Sequence, residues 1–278
     1  MLKIVFDLSQ FESVEVVPIA DCHVGNVLAD IQSLHDTISY VMKEPDDPKC
    51  ARICLLNGDL TESVTKQSVG NVFDMTMTPA VQVATMIEML KPLSVPSEKY
   101  PQGKILSYCG GNHDTDRYKD TGITASESIA CALGLEDRYS PNGCYSFITL
   151  GRMQNPGKTC RATIYNQHMT GGGSTVGGKA NRVVKAGLGG GIIANVVVGS
   201  HVHQPMTFKE DYIIPYEQNA AIRQRTITYV ITNSFLRYGD YAQKNGMKPS
   251  TIKVPRIFIR QGRTGENSDR FVYIEVIL

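Results

Sequence analysis

The chain has 278 residues, 42% apolar and 20% charged, with a net charge of +1, which reads as an ordinary water-soluble globular protein with enough residues for one large core. No stretch approaches the ~20 apolar residues a membrane-spanning helix requires; the longest candidate, 192–198, is interrupted by Asn195, and the first residues carry Asp7 without a small-residue cleavage site, so no signal peptide and a cytoplasmic location are expected. Seven scattered cysteines without a CxxC pair argue against a zinc ribbon or a disulfide framework and for buried reduced thiols.

In chain order, the first twelve residues can supply an edge strand, and the β-branched run 14–19 predicts a strand that delivers Asp21 and His23. Leu28, Ile31, Leu34, Ile38 and Val41 recur at helical spacing, predicting an amphipathic helix over 28–42 that Pro45 and Pro48 close. A short strand over 53–56 ends at Gly58-Asp59. Thr78-Pro79 predicts a helix start with a capping hydroxyl, and Pro92 predicts its end. The apolar run 105–108 predicts a strand leading into Gly110-Gly111-Asn112-His113-Asp114. A helix over 125–133 follows, then strands over 144–150 and 161–166, the second delivering His168. Residues 170–178 read as a glycine-rich loop and 179–186 as a short helix. The run 192–198 reads as a buried strand leading to His201-Val202-His203, with further strands near 226–232, 254–260 and 271–277.

Strands alternating with helices, followed by a half richer in strands, predict an α/β fold of stacked mixed β-sheets flanked by helices. No composition break marks a linker, so residues 1–278 read as a single domain with 204–278 as its basic, strand-rich part. From Ile222 to Arg270 there are ten Lys/Arg against three Asp/Glu, which leaves that window at +7 and the rest of the chain at −6. A basic part suggests an anionic partner; solvated strand faces and loops account for it equally well.

Five of the six histidines, His23, His113, His168, His201 and His203, stand just beyond strand-like runs, whereas His35 falls inside a predicted helix and reads as structural. Any one of the five would default to a structural role. Together, and with Asp21, Asp59 and Asn112 at the ends of the same runs, they point to a ligand site, because ligands bind at the carboxyl ends of strands in α/β sheets. Imidazole with carboxylate suits Mn²⁺, Fe²⁺ or Zn²⁺, and the lack of cysteine clusters argues against a closed structural zinc site. The set exceeds what one tetrahedral ion needs. Two ions ~4 Å apart, bridged by a carboxylate, would use it and would serve in-line displacement at phosphorus.

Asp21-x-His23, Gly58-Asp59, Gly111-Asn112-His113-Asp114, His168 and His201-x-His203 resemble, in order, the five signature motifs of the calcineurin-like metallophosphoesterases, over residues 21–203. The resemblance implies that family's four-layer αββα fold and two divalent ions, Mn²⁺ foremost, with Fe, Zn, Ni and Mg as alternatives. Asp21, His23 and His203 would hold one ion and Asn112, His168 and His201 the other. Asp59 would bridge them, with a hydroxide between the ions as nucleophile. His113 would stabilise the phosphoryl group or protonate the leaving oxygen, oriented by a carboxylate such as Asp114 or Asp59. Ser200 stands where the family usually has glycine, and tighter backbone geometry rather than a lost ligand is expected there.

Residues 171–182 and 233–246 are similar to segments of phage- and prophage-borne, exonuclease-like members. Gly172 and Gly173, just after His168, can approach phosphates with backbone N–H donors, with Lys179 and Arg182 beside them; a surface loop is the plainer reading. Asn26 reads as a helix N-cap before a substrate contact, and Glu62 as an outer residue of the site or a helix start. The expected function is a two-metal phosphodiesterase or nuclease acting on nucleic acid or nucleotides. The alternatives are a phosphomonoesterase, including a protein phosphatase, and a metal-binding scaffold without turnover. No membrane partner is expected, and a homo-oligomer is compatible with the sequence.

Overall fold

Alternate residues of the central strands face two different apolar layers, and this organises the architecture. In β3 (Cys50–Asn57) every residue is buried; Ala51, Ile53 and Leu55 join one core and Cys54 and Leu56 another, as the two-residue period of a strand requires. The structure, a computed structural model, describes all residues except 65–71, 116–121, 152–158, 174, 217–219, 240–242, 244–248, 250 and 262–271. The other strands are β1 (Leu2–Leu8), β2 (Ser13–Ile19), β4 (Ile105–Cys109), β5 (Tyr139–Ser140), β6 (Cys144–Gly151), β7 (Thr159–Gln167), β8 (Val196–Gly199), β9 (Met206–Tyr216), β10 (Ala221–Ile231), β11 (Arg256–Gln261) and β12 (Val272–Ile277). The helices are α1 (Ile31–Met42), α2 (Pro79–Ser94), α3 (Asn112–Thr115), α4 (Ala125–Ala132) and α5 (Val176–Ala186).

The chain is an α/β protein, and its described residues form two mixed six-stranded sheets, ordered β1-β6-β7-β8-β10-β9 and β12-β11-β2-β3-β4-β5. Between them lies a core of Phe6, Val14, Val16, Ile53, Leu55, Ile148, Ile164, Val196, Val198, Val230 and Ile257, drawn from both sheets. The other face of the second sheet packs on Leu34, Ile38 and Val41 of α1, Met86, Leu90 and Leu93 of α2 and Ile129 of α4. The other face of the first sheet, with Val197 and Tyr229, packs on Val183 of α5. Each fully buried Leu, Ile or Val side chain contributes about 1.5–3 kcal/mol. Within the sheets β2, β3 and β4 are parallel, as are β7, β8 and β10, so their C-terminal ends gather at shared edges. Among the described residues no helix is long and apolar enough to cross a membrane. The seven cysteines are all free, and only Cys131 is exposed.

Several element boundaries differ from the sequence expectation. α1 starts at Ile31, capped by Asp30, whose carboxylate accepts from the Ser33 N–H at 3.1 Å. Asn26 instead closes a local turn by accepting from the Leu28 N–H at 2.8 Å. Pro92 lies inside α2 rather than ending it, and Thr78 makes no side-chain capping bond. Full burial of Leu93 holds the final turn past the proline, where backbone carbonyls lack helical partners anyway. The apolar run 192–198 forms strand only from Val196, because Asn195 Oδ1 accepts from the Thr163 N–H and hydroxyl, both at 2.9 Å. β9 was not expected from the sequence. It alternates half-buried and exposed residues such as Lys209, Asp211 and Ile213, and its regularity comes from eleven paired positions with β10.

Candidate metal centre

Among the described residues, seven other than glycine have positive φ, and five of them are predicted ligands: Asp21 (49°), His23 (47°), Asp59 (51°), His201 (82°) and His203 (56°). Left-handed backbone costs a residue with a Cβ about 1–3 kcal/mol and persists only where its surroundings impose it. Each of the five follows a strand end, and neighbouring strand ends hold it there. Asp21 N–H donates to the Gly58 carbonyl and His23 N–H to the Asp59 carbonyl, both at 3.0 Å. The segment after β10 adds a backing, since Ser234 Oγ donates to the Asp21 carbonyl at 3.1 Å. Two glycines are required by close approach. A Cβ on Gly111 would stand 2.1 Å from Asp59 Oδ1, and one on Gly58 (φ +82°) 2.7 Å from His168 Nδ1.

The predicted ligands gather in two adjacent groups. In the first, Asp21 Oδ1 lies 3.2 Å from His203 Nε2, and His23 Nε2 lies 3.4 Å from the same nitrogen. In the second, Asp59 Oδ2 lies 3.1 Å from His168 Nε2, with His201 beside them. His201 ties the groups together, because its backbone N–H donates to the Asp21 carboxylate at 3.0 and 3.2 Å. Asp59 falls with the second group; its Oδ1 accepts from the His113 N–H at 2.9 Å, and its Oδ2 is the atom turned to His168. Asn112 completes the second group, its Oδ1 being 3.0 Å from His168 Nε2. In that setting the oxygen faces acceptors only. Turned over, the amide would donate to His168 Nε2, His201 Nδ1 (2.8 Å) and Asp59 Oδ2 (3.3 Å). An oxygen, a carboxylate and imidazole nitrogens converging in this way form a donor set that a divalent cation would satisfy once the ring protons are displaced.

Outer contacts present the ligand atoms. His23 Nδ1 meets Glu62 Oε2 at 2.8 Å, so Nε2 is the nitrogen turned to the first group, as carboxylate-held metal histidines are arranged. Sequence reasoning gave Glu62 only an outer place, yet it serves two histidines. Its backbone carbonyl accepts from His113 Nδ1 at 3.0 Å and its carboxylate lies 3.8 Å from that nitrogen. The His113 ring is set edge-on to His23 with centroids 4.6 Å apart. Of the two carboxylates expected to orient His113, Asp59 contacts it through the backbone, its Oδ1 accepting from the His113 N–H, and Asp114 bonds other groups. Asp114 is fully buried; its Oδ2 accepts from the Gly111 and Asp59 N–H groups, both at 3.0 Å, and its Oδ1 from the Thr61 hydroxyl at 3.3 Å. Those bonds build the loop around Gly111 and Asp59. Asp114→Ala would strand two buried N–H groups at about 1–3 kcal/mol each. Urea unfolding of that variant is therefore expected to show a loss of about 2–6 kcal/mol, and an unchanged midpoint would contradict the assignment.

Burial alone would raise the carboxyls of Asp21 and Asp59, but the adjacent histidines outweigh it and hold both below the usual carboxylate range. Burial pulls the His168 imidazole down, and Asp59 beside it prevails and pushes it up to about 10. His201 is lowered by burial and then by the charge of His168. Asp114 is pushed up to about 6 by burial and by the Asp59 charge. The site without a cation therefore retains a proton on His168, which metal binding would displace.

The second expected set is divided. Lys179 Nζ donates to Gln204 Oε1 at 2.7 Å, which carries it to the residue after His203. Arg182 Nε donates to the Gly172 carbonyl at 3.2 Å and so holds the glycine loop in shape. Gly172 is exposed and Gly173 half-buried; Gly173 approaches Gly178 so closely that a Cβ would stand 2.9 Å from its carbonyl carbon. α5 begins at Val176, earlier than expected, with Thr175 capping the Gly178 N–H at 3.1 Å. The basic C-terminal window does not frame the site as one face. Lys244, Lys248, Arg263 and Arg270 lie outside the described residues, as does the 241–246 part of the exonuclease-like resemblance except for Gln243. Arg237 pairs with Asp30 at 3.4 Å and Arg256 with Glu15 at 3.9 Å. Arg225 and Arg223 precede the site end of β10 at Ile231 by about 20 and 26 Å at the rise of a strand. His35 is exposed on α1, in a cleft against α2 with Val81 and Glu88.

Comparison with protein-family models found no matching family, and comparison with curated proteins found no matching protein.

Proposed function

We propose that this protein is a metal-dependent phosphoester hydrolase, with phosphodiesters of nucleic acid or nucleotides as its favoured substrates. The observation that carries the reading is the convergence of Asp21, His23 and His203, and of Asp59, Asn112, His168 and His201, from five separate strand ends. The succession of helices, two mixed sheets and a further helix agrees with the four-layer fold of the calcineurin-like metallophosphoesterases that the motifs resemble. The two groups would each hold one divalent cation, Mn²⁺ first among those suited to imidazole, amide and carboxylate donors. Such ions supply an activated water and neutralise charge on the phosphoryl oxygens.

The chain's own residues do the rest. Glu62 holds His23 by Nδ1 and accepts from the His113 ring through its carbonyl, which supports a role in which His113 would give a proton to a leaving oxygen or a hydrogen bond to a phosphoryl oxygen. Lys179 brings a cation to the last motif, and the glycine loop after His168 adds backbone N–H donors. The preference for diesters rests on these groups and on the motif resemblance, because Arg223 and Arg225 stand apart from the site end of β10 and Arg237 and Arg256 are paired with carboxylates. Parallel assays with Mn²⁺ on bis- and mono-(p-nitrophenyl) phosphate and on single- and double-stranded DNA test the reading. Hydrolysis of the diester and of DNA is expected; a marked preference for the monoester with DNA intact would make a phosphomonoesterase of it, and no hydrolysis at all would leave a scaffold.

A further inference from the structure

The ligands are divided between the two sheets, and a buried polar chain crosses between those sheets directly beneath them. Asp21, His23, Asp59 and Asn112 follow strands of the second sheet; His168, His201 and His203 follow strands of the first. Asn57, Ser107, Asn166 and Ser200 are all fully buried. Ser107 Oγ donates to Asn166 Oδ1 at 2.8 Å, and Asn166 Nδ2 to Asn57 Oδ1 at 3.0 Å. Asn57 Nδ2 donates to Ser200 Oγ at 3.0 Å and to the Gln167 carbonyl at 3.1 Å. The chain ends on the metal centre. Ser200 Oγ donates to the Asn57 carbonyl at 2.5 Å, and His168 Nδ1 lies 2.8 Å from that Oγ and 2.9 Å from that carbonyl oxygen.

The proton count in this triangle decides the state of His168. A hydroxyl has one hydrogen, and here it is committed to the Asn57 carbonyl, its shortest contact. Both oxygens then offer His168 Nδ1 only lone pairs, so Nδ1 carries the ring hydrogen and a neutral ring has its lone pair on Nε2, the atom that faces Asp59 and Asn112. Gly58 closes the other side of the ring, since a Cβ there would stand 2.7 Å from Nδ1. Buried donors and acceptors left unmet cost about 1–3 kcal/mol each, so the ring, the serine and the asparagine hold one another in place across the sheet interface.

We propose that Ser200 and Asn57 are positioning residues that lock the His168 ring and its ligand-bearing tautomer, and with them the alignment of the two sheets across the metal centre. The inference rests on the metal reading above and gives a role to the serine at a position where glycine was the family's pattern. Co²⁺ titration tests it, followed by visible absorption and by metal content after dialysis, on wild type and Ser200→Ala. One of two equivalents is expected to weaken by roughly 10–100-fold, the scale on which outer contacts tune metal sites. Its absorption band should change, while the other equivalent and the circular dichroism of the metal-free protein stay as in wild type. Ser200→Gly, which removes the hydroxyl and adds no methyl to the buried site, is read in the same way if Ser200→Ala does not fold. Two equivalents bound with wild-type affinity and spectrum by a folded variant would overturn the inference alone. A wild type that binds no Co²⁺ would overturn the metal reading and this inference with it.

Discussion

Asp59→Asn is expected to lower the divalent metal held by both ligand groups at once. Asp59 Oδ2 stands 3.1 Å from His168 Nε2, and its charge also reaches His23 and His113. Asparagine keeps the shape and an acceptor for the His113 N–H, but removes the negative charge that two cations would share. The loss should exceed the roughly 10–100-fold cost of removing an outer contact, read as Mn²⁺ per chain after dialysis and as the midpoint of a Mn²⁺ titration. Two ions retained per chain would contradict bridging; loss of one alone would assign Asp59 to the His168 and His201 group only. The wild type carries a pH signature of the same residue. Because Asp59 keeps the His168 proton up to about 10, a cation must displace that proton, so Mn²⁺ affinity should rise with pH through neutrality. In Asp59→Asn that dependence should move to lower pH, as His168 loses the charge that raises it.

His113→Ala should leave metal content intact and slow turnover by roughly 10²–10⁴-fold, the range of general acid–base contributions. The ring is outside the Asp21–His23–His203 and Asp59–His168–His201 groups, and its Nδ1 lies 3.0 Å from the Glu62 carbonyl, so on the proposed reading its removal would take away a group that acts on substrate rather than a ligand. The loss should be smaller for substrates with a good leaving group, such as bis-(p-nitrophenyl) phosphate, which need little protonation. Unchanged kcat on a natural diester would remove His113 from the reaction, and a parallel fall in bound Mn²⁺ would reassign it as a ligand.

Much of the candidate site was legible because its residues fall where strand patterns stop. The β-branched run before Asp21 and the apolar runs before Asp59, Asn112, His168 and His201 became β2, β3, β4, β7 and β8, and each strand end is a fixed point from which a short loop projects. What failed to read out was contact between groups remote in sequence. Asp114 adjoins His113 in the chain and looked like its partner, but a carboxylate beside Gly111 and Asp59 N–H groups is drawn to those donors. Glu62, 51 residues away from His113, took the place instead. The basic window failed for the opposite reason: a tally of charge along the chain ignores that β10 is a long strand, so residues six or eight apart are separated by much of the sheet's height.

The sequence by itself determined the inventory of donors, their order, and the strand that delivers each, because local periodicity and breakers act over a few residues. Pairing lay beyond it. Only the tertiary structure decided that His168 faces Asp59 and Asn112, that His203 joins Asp21 and His23, and that Ser200 meets Asn57, since these contacts span up to 182 positions and follow from how two sheets share one apolar core. The left-handed backbone at five ligand positions belongs to that level as well. Aspartate and histidine enter this region more readily than most residues with a Cβ but do not prefer it, and the packed strand ends around the site impose it.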